Sequence, residues 1–301
     1  YRRILQRDKT NAFAANGLGT VLAEKGDLTK AKEIFHRVRE VSGDTIPDSL
    51  LNLGHIHLAQ KKHPEAIQMY QSYINRTRHS GAPTTSKSQE EDDAAVLQYI
   101  AFAYFDWARQ TEQFRNVKAA IADEYYRKCI EHIQLAIIKK DSPVLRFNLC
   151  TVKLHAANCV LQKLERNIRR TAQEVEDALD ALEESLTVVQ SLLKDKASGE
   201  KKVPIGTSLL NSFVANCKSN IESAKSHLEE ERKKEIDMKE LRELQKVEAE
   251  AQRKERELEE QLRREKKVME EEEKERKARM KMDKVSHLLM GWERDSVDQK
   301  E

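Results

Sequence analysis

Apolar residues in the first half of the chain recur at helical spacing. From Asn11 to Gly43 the pattern predicts a helix, a turn at Lys25-Gly26-Asp27, and a second helix in which Ala31, Phe35 and Val38 share a face at i, i+4 and i+7. Ala66, Tyr70 and Tyr73 repeat that face. Leu18-Gly19 recurs as Leu53-Gly54, Ala31 as Ala66 and Phe35 as Tyr70, all at one offset of 35 residues. Gly19 and Ala31 are small where two antiparallel helices would cross at about 8–10 Å, and Phe35 is placed to fill the gap to the next pair. One such pair cannot bury its faces alone, so the pattern predicts stacked helical pairs.

These residues resemble the tetratricopeptide repeat, whose period of about 34 residues and Leu-Gly…Ala…Phe pattern they follow over 12–78. Residues 79–93 hold turn formers followed by acids and are expected to be a disordered insertion. A third repeat is expected from Ala94, with Leu97, Ile100, Ala101 and Tyr104 on its first helix and Cys129, Ile133 and Ala136 on its second. Asp141-Ser142-Pro143 is a helix-start signal. A fourth repeat follows, in which Asn148-Leu149-Cys150 echoes Asn52-Leu53-Gly54, and Ala181, Ser185 and Val188 form a weaker partner face. The fold expected is all-α: two regular repeats over 1–78 behind the end of an earlier helix, two degenerate repeats over 94–195, and a linker over 196–206.

From Thr207 to Met290 there is neither Gly nor Pro, and Thr207 or Ser208 is placed to cap a single very long helix, on the order of 120 Å if unbroken. Leu210, Val214, Cys217, Ile221, Ala224 and Leu228 follow strict 4-3 spacing, so 207–228 should be a packed base. Residues 229–284 carry 20 acidic and 19 basic side chains and should form a solvated strut held by intrinsic propensity and i, i+4 ion pairs. Strict coiled-coil positions lapse across Glu229 to Glu240, which weakens the case for a dimer there. At the far end Leu288, Leu289, Met290 and Trp292 form a candidate apolar docking tip, with Gly291 as the expected helix stop and 291–301 as a tail.

Composition narrows the functional classes. Lys and Arg number 54 against 52 Asp and Glu, a net charge of +2, so no direct nucleic-acid readout is expected. Only 9 Gly and 5 Pro in 301 residues argue against an all-β fold. The longest uncharged stretch, Val203 to Cys217, is shorter than the roughly 20 apolar residues a membrane span needs, and no membrane contact is expected. The four cysteines show no zinc-ligand spacing and read as reduced core residues; no cofactor, metal or small-molecule substrate is expected. No catalytic motif occurs, which points to a non-enzymatic protein. His55 and His57 fall on different faces, one exposed and one at a repeat interface, and Arg166, Arg169 and Arg170 read as a solvated helix end. The protein-binding groove should be lined by the first helix of each pair: Asn16, Thr20 and Ala23, then Leu51, His55 and Leu58. It lacks the cations with which chaperone-binding relatives grip a carboxylate.

Taken as a whole, the run Asn11-Ala12-Phe13-Ala14-Ala15-Asn16-Gly17-Leu18-Gly19, the Lys25-Gly26 turn, Leu51-Asn52-Leu53-Gly54-His55-Ile56 and Met69-Tyr70 resemble the tetratricopeptide scaffold subunits of the RNA polymerase II-associated factor complex, the Paf complex. The order, degenerate later repeats and then one long charged helix, is similar too. The resemblance implies the C-terminal part of a nuclear scaffold whose partners are other Paf subunits and RNA polymerase II and which supports transcription elongation and co-transcriptional histone modification. The alternative is a general tetratricopeptide adaptor, chaperone or motor associated, with a coiled-coil partner. Kinesin light chain carries its heptads before its repeats, and no βαβ pattern of a repeat-bearing glycosyltransferase occurs.

Overall fold

The first repeat begins where Asn11 accepts a hydrogen bond from the Ala14 amide, capping α2 (Ala12–Glu24), which follows the short α1 (Arg2–Arg7). Asp27 caps α3 (Leu28–Ser42) in the same way. The computed structural model describes residues 1–43, 45–79, 87–112, 119–163, 170–199 and 202–295, and side chains in these except at 78–79, 87–89, 119–120 and 287–295. The remaining pairs are α4 (Asp48–Ala59) with α5 (His63–His79), α6 (Lys87–Glu112) with α7 (Ala119–Lys139), and α8 (Pro143–Gln162) with α9 (Ala172–Ser198). A final helix, α10, runs from Thr207 to Asp295. Every element among the described residues is helical, in the pairwise stack that tetratricopeptide repeats form.

Glycine sets how closely each regular pair approaches. A Cβ on Gly19 would lie 2.7 Å from Cε1 of Phe35, and one on Gly54 only 2.4 Å from Cε1 of Tyr70. Both rings are fully buried, so neither can yield. The inter-helix turns are also homologous. Gly26 has φ 85°, and Lys61, at the same place in the second repeat, has φ 58°, a left-handed conformation that costs a side-chain-bearing residue roughly 1 kcal/mol. Lys61 is held there by an ion pair of 2.9 Å to Asp106 on the next repeat.

Several boundaries differ from those expected. The third repeat's first helix starts at Lys87, inside the stretch expected to be disordered and ahead of Ala94; residues 80–86 lie outside the described ones. Glu90 lies in the helix's first turn, where negative charge is favoured. In α9 the buried face is Ala178, Leu182, Ser185 and Val189, whereas Ala181 and Val188 are half-buried. The linker begins later, because α9 continues to Ser198 and ends on Gly199 at φ 72°, and Val203 and Ile205 are buried in the core of the last repeat. Thr207 is already helical, so the cap position falls on Gly206, whose carbonyl accepts from the Leu210 amide. At the far end α10 runs through Gly291 to Asp295, since a glycine's helix penalty of about 1 kcal/mol does not by itself stop a helix with good formers on both sides.

The chain divides into two compact units, Tyr1–Arg232 and Lys233 onward. In the first, Leu210, Cys217, Ile221, Ala224 and Leu228 of α10 are buried and Val214 is half-buried against the same cluster, together with Phe147 of α8 and Leu182 of α9. The packed stretch passes Leu228, because Glu231 is buried too and receives a hydrogen bond from Arg170 Nε at 3.3 Å. In the second unit the described side chains are exposed, and ion pairs such as Arg253–Glu257 (3.0 Å), Arg264–Glu260 (2.7 Å) and Lys277–Glu273 (2.8 Å) lie along the helix. Such exposed pairs contribute at most a few tenths of a kcal/mol each.

Candidate protein-binding groove

The first helices of the four pairs meet in turn: α2 and α4 through Asn16 and Asn52, α4 and α6 where His55 lies against Tyr99, and α6 and α8 where Phe105 lies against His155. Asn52 Nδ2 donates to Asn16 Oδ1 at 3.2 Å and joins α2 to α4; Thr20 is bonded back to the Asn16 carbonyl of its own helix. Asn16, Thr20 and Ala23 are half-buried, and Leu51 and Leu58 are half-buried against the core. His55 is exposed, with its ring edge-on to Tyr99 at 4.6 Å and its Nδ1 sharing a 2.9 Å hydrogen bond with the Tyr70 hydroxyl. The surrounding protein disfavours the imidazolium and lowers the His55 pKa below the ordinary value. His57 points the other way, buried at 8% exposure, and its Nδ1 has no hydrogen-bond partner among the described residues. Among the described residues no three His, Cys, Asp or Glu side chains are placed to hold a metal ion.

The groove continues into the third and fourth repeats, where the sequence reading did not follow it. Leu51, His55 and Leu58 have the spacing of Gln98, Phe102 and Phe105 on α6. Phe102 is 57% exposed, unusually open for its size. Beside it a cavity of 240 Å³ opens between α6 and α8, with Phe105, Ile133 and Leu145 in its walls and Gln98 and Asn148 at its rim. Phe105 meets His155 edge-on at 5.3 Å, and Arg109 Nη1 donates to His155 Nδ1 at 3.0 Å. Burial and then the Arg109 charge lower the His155 pKa, so its ring is neutral and carries its proton on Nε2. The usable signal was the spacing; the unfamiliar Ile100-Ala101 in place of Leu-Gly and the intervening 79–93 stretch concealed it.

Beyond the groove, Arg170 corrects the sequence reading. Its side chain is 1% exposed, not solvated, and bonds to Glu231, to the Leu161 carbonyl at 2.8 Å and to His227 Nδ1 at 3.4 Å. It thereby ties the end of α8 to α10. Arg166 and Arg169 lie outside the described residues. A second buried cation, Lys163, bridges Asp123 at 2.6 Å and Glu174 at 3.0 Å, joining α7 to α9. On α10, Leu241, Leu244, Leu258 and Leu262 are exposed apolar residues. Leu288, Leu289, Met290 and Trp292 are on the helix, and their side chains are outside the described ones.

Comparison with known proteins agrees with this architecture. Residues 11–78 match the tetratricopeptide repeat family. The chain is 25% identical over 240 residues to the "Protein CTR9 homolog" of Arabidopsis thaliana, which covers 78% of this chain and 19% of that protein. The chain is similar to CTR9 proteins over most of its length and carries tetratricopeptide repeats at 11–78. It is 26% identical over 230 residues to the "RNA polymerase-associated protein CTR9" of Caenorhabditis elegans, covering 76% of this chain and 17% of that one. For the protein of the same name from Saccharomyces cerevisiae, identity is 28% over 272 residues, with 84% of this chain and 23% of that one covered. The chain thus spans about a fifth of the length of these relatives. Among the described residues no helix is long and apolar enough to cross a membrane.

Proposed function

We propose that this chain is a non-enzymatic, nuclear protein-binding scaffold segment that works with RNA polymerase II within the Paf complex, supporting elongation and co-transcriptional histone modification. What supports this reading is the extent of the similarity. The relatives named for RNA polymerase association align over 230 and 272 residues, well past the regular repeats at 11–78, so the likeness is more than that of one repeat to another. The architecture fits the role: four helical pairs present a side-chain-lined groove, and a charged helix follows. In this reading Asn16, Thr20, Ala23, Leu51, His55 and Leu58 contribute to a surface for other Paf subunits, and Leu288, Leu289, Met290 and Trp292 form a docking tip for the polymerase.

Affinity purification of the tagged chain from nuclear extract, followed by mass spectrometry, tests the proposal. Paf subunits and polymerase should be recovered, and replacing Leu289 and Trp292 by Ala should reduce polymerase recovery while leaving Paf subunits bound. Recovery of chaperones or motor proteins without either would overturn it.

A further inference from the structure

We infer that the groove between α6 and α8 takes an extended peptide from a protein partner, one that places a bulky apolar side chain in the cavity beside Phe102 and an acidic side chain on Arg109. The inference rests on the protein-binding reading above and goes beyond it by naming the ligand chemistry and the residues that would read it. It begins from charge. Arg109 is exposed, and its one hydrogen-bond partner among the described residues is the neutral imidazole of His155. No carboxylate among them lies within ion-pair distance of it, although acids are near. Asp106 is held by Lys61 at 2.9 Å and by His63 Nε2 at 2.7 Å. Glu112 accepts from the Tyr126 hydroxyl at 2.8 Å. The guanidinium therefore keeps most of its five donors for an incoming anion.

The apolar half of the site is the 240 Å³ cavity, large enough for a Leu, Met or aromatic side chain, whose floor includes the buried Ile133 and Leu145. Phe102, exposed at its edge, would lose most of its contact with water when the cavity is filled. At the rim the exposed Asn148 offers both a donor and an acceptor, which a peptide backbone leaving water requires. The two halves are joined by Phe105, which lines the cavity and touches the His155 ring. Arg109 lies one helical turn past Phe105, about 6 Å along α6. An extended chain advances about 3.3 Å per residue, so the apolar and acidic residues of the ligand should be about two positions apart. A lone cation beside an apolar cleft does not suit nucleic acid, which needs a row of positive charges along its backbone.

The probe is a phage-displayed library of random dodecapeptides selected on the chain, with the winning sequences resynthesised and measured by fluorescence polarisation. Enrichment of a bulky apolar residue followed or preceded by Asp or Glu at about two residues' distance is expected. Arg109→Glu should weaken that peptide about tenfold or more, and Phe102→Ala severalfold, with the melting temperature unchanged because both side chains are exposed. A peptide with Lys in place of its acid should bind Arg109→Glu better than it binds the unaltered chain. Selected peptides without acids, affinities indifferent to both substitutions, or self-association of the chain through this face would each overturn the inference. Recovery of Paf subunits by a chain that selects no such peptide sinks this inference alone. Selection of the peptide by a chain that recovers no Paf subunits sinks the complex assignment and leaves the groove standing.

Discussion

Replacing Arg170 by Ala should loosen the start of α10 from the last repeat. Arg170 is the buried centre of that joint: its Nε donates to Glu231 at 3.3 Å and its Nη1 to the Leu161 carbonyl at 2.8 Å, near the end of α8 where carbonyls lack helical partners. Its Nη2 has no partner among the described residues, where the pair is therefore imperfectly satisfied and its net contribution below that of an ideal ion pair. Truncation is another matter. It removes the buried cation that faces Glu231, whose side chain is 9% exposed beside an apolar cluster, at a cost of about 3–5 kcal/mol. In a unit of this size that should lower the melting temperature by roughly 10 °C. Changing both partners to apolar residues, Arg170→Met with Glu231→Leu, removes both buried charges and should recover most of the loss. Hydrogen exchange read by mass spectrometry locates the effect: peptides within 207–232 should lose protection in Arg170→Ala, while those within 48–79 keep theirs, because stacked repeats couple mainly to neighbours. A single substitution costing under about 1 kcal/mol, or a double substitution as damaging as the single one, would refute this account of the joint.

Gly54→Ala should destabilise by about 1–2 kcal/mol, since the overlap with the buried Tyr70 ring outweighs the roughly 1 kcal/mol that Ala gains over Gly in a helix; a raised melting temperature would contradict it. The Asp106 carboxyl is partly buried, which opposes ionisation, but the hydrogen bonds from His63 and Lys61 prevail and lower its pKa. Its contribution to stability is therefore present above the ordinary carboxylate pKa and lost as pH falls through the folded-state value, and Asp106→Asn should flatten that acid limb in melts recorded from pH 6 to 3. Burial raises the thiols of Cys129 and Cys159 to about 12 and those of Cys150 and Cys217 to about 11, so none should react with a thiol reagent at pH 8 until the repeats unfold, which a timed titration with and without urea would check.

What the sequence determined by itself is whatever depends on local spacing. The all-α repeat architecture was legible because Leu-Gly, Ala and Phe or Tyr recur at one offset, and a helical pair has few other ways to bury them. The long final helix was legible because 207–290 contains no residue that breaks a helix. The proposed groove residues Asn16, Thr20 and His55 rest on the same register of the first two helices. Tertiary structure decided whatever depends on residues distant in sequence. Arg170 and Glu231 are 61 positions apart, and nothing local distinguishes a buried arginine from a solvated one. Arg109 meets His155 across 46 positions, and Lys61 meets Asp106 across 45. The extent of the packed base was decided the same way, by the arginine that reaches Glu231 rather than by the apolar seam that ends at Leu228. Periodicity reports which face of a helix is apolar; which polar group that face will meet is set only when the helices stack.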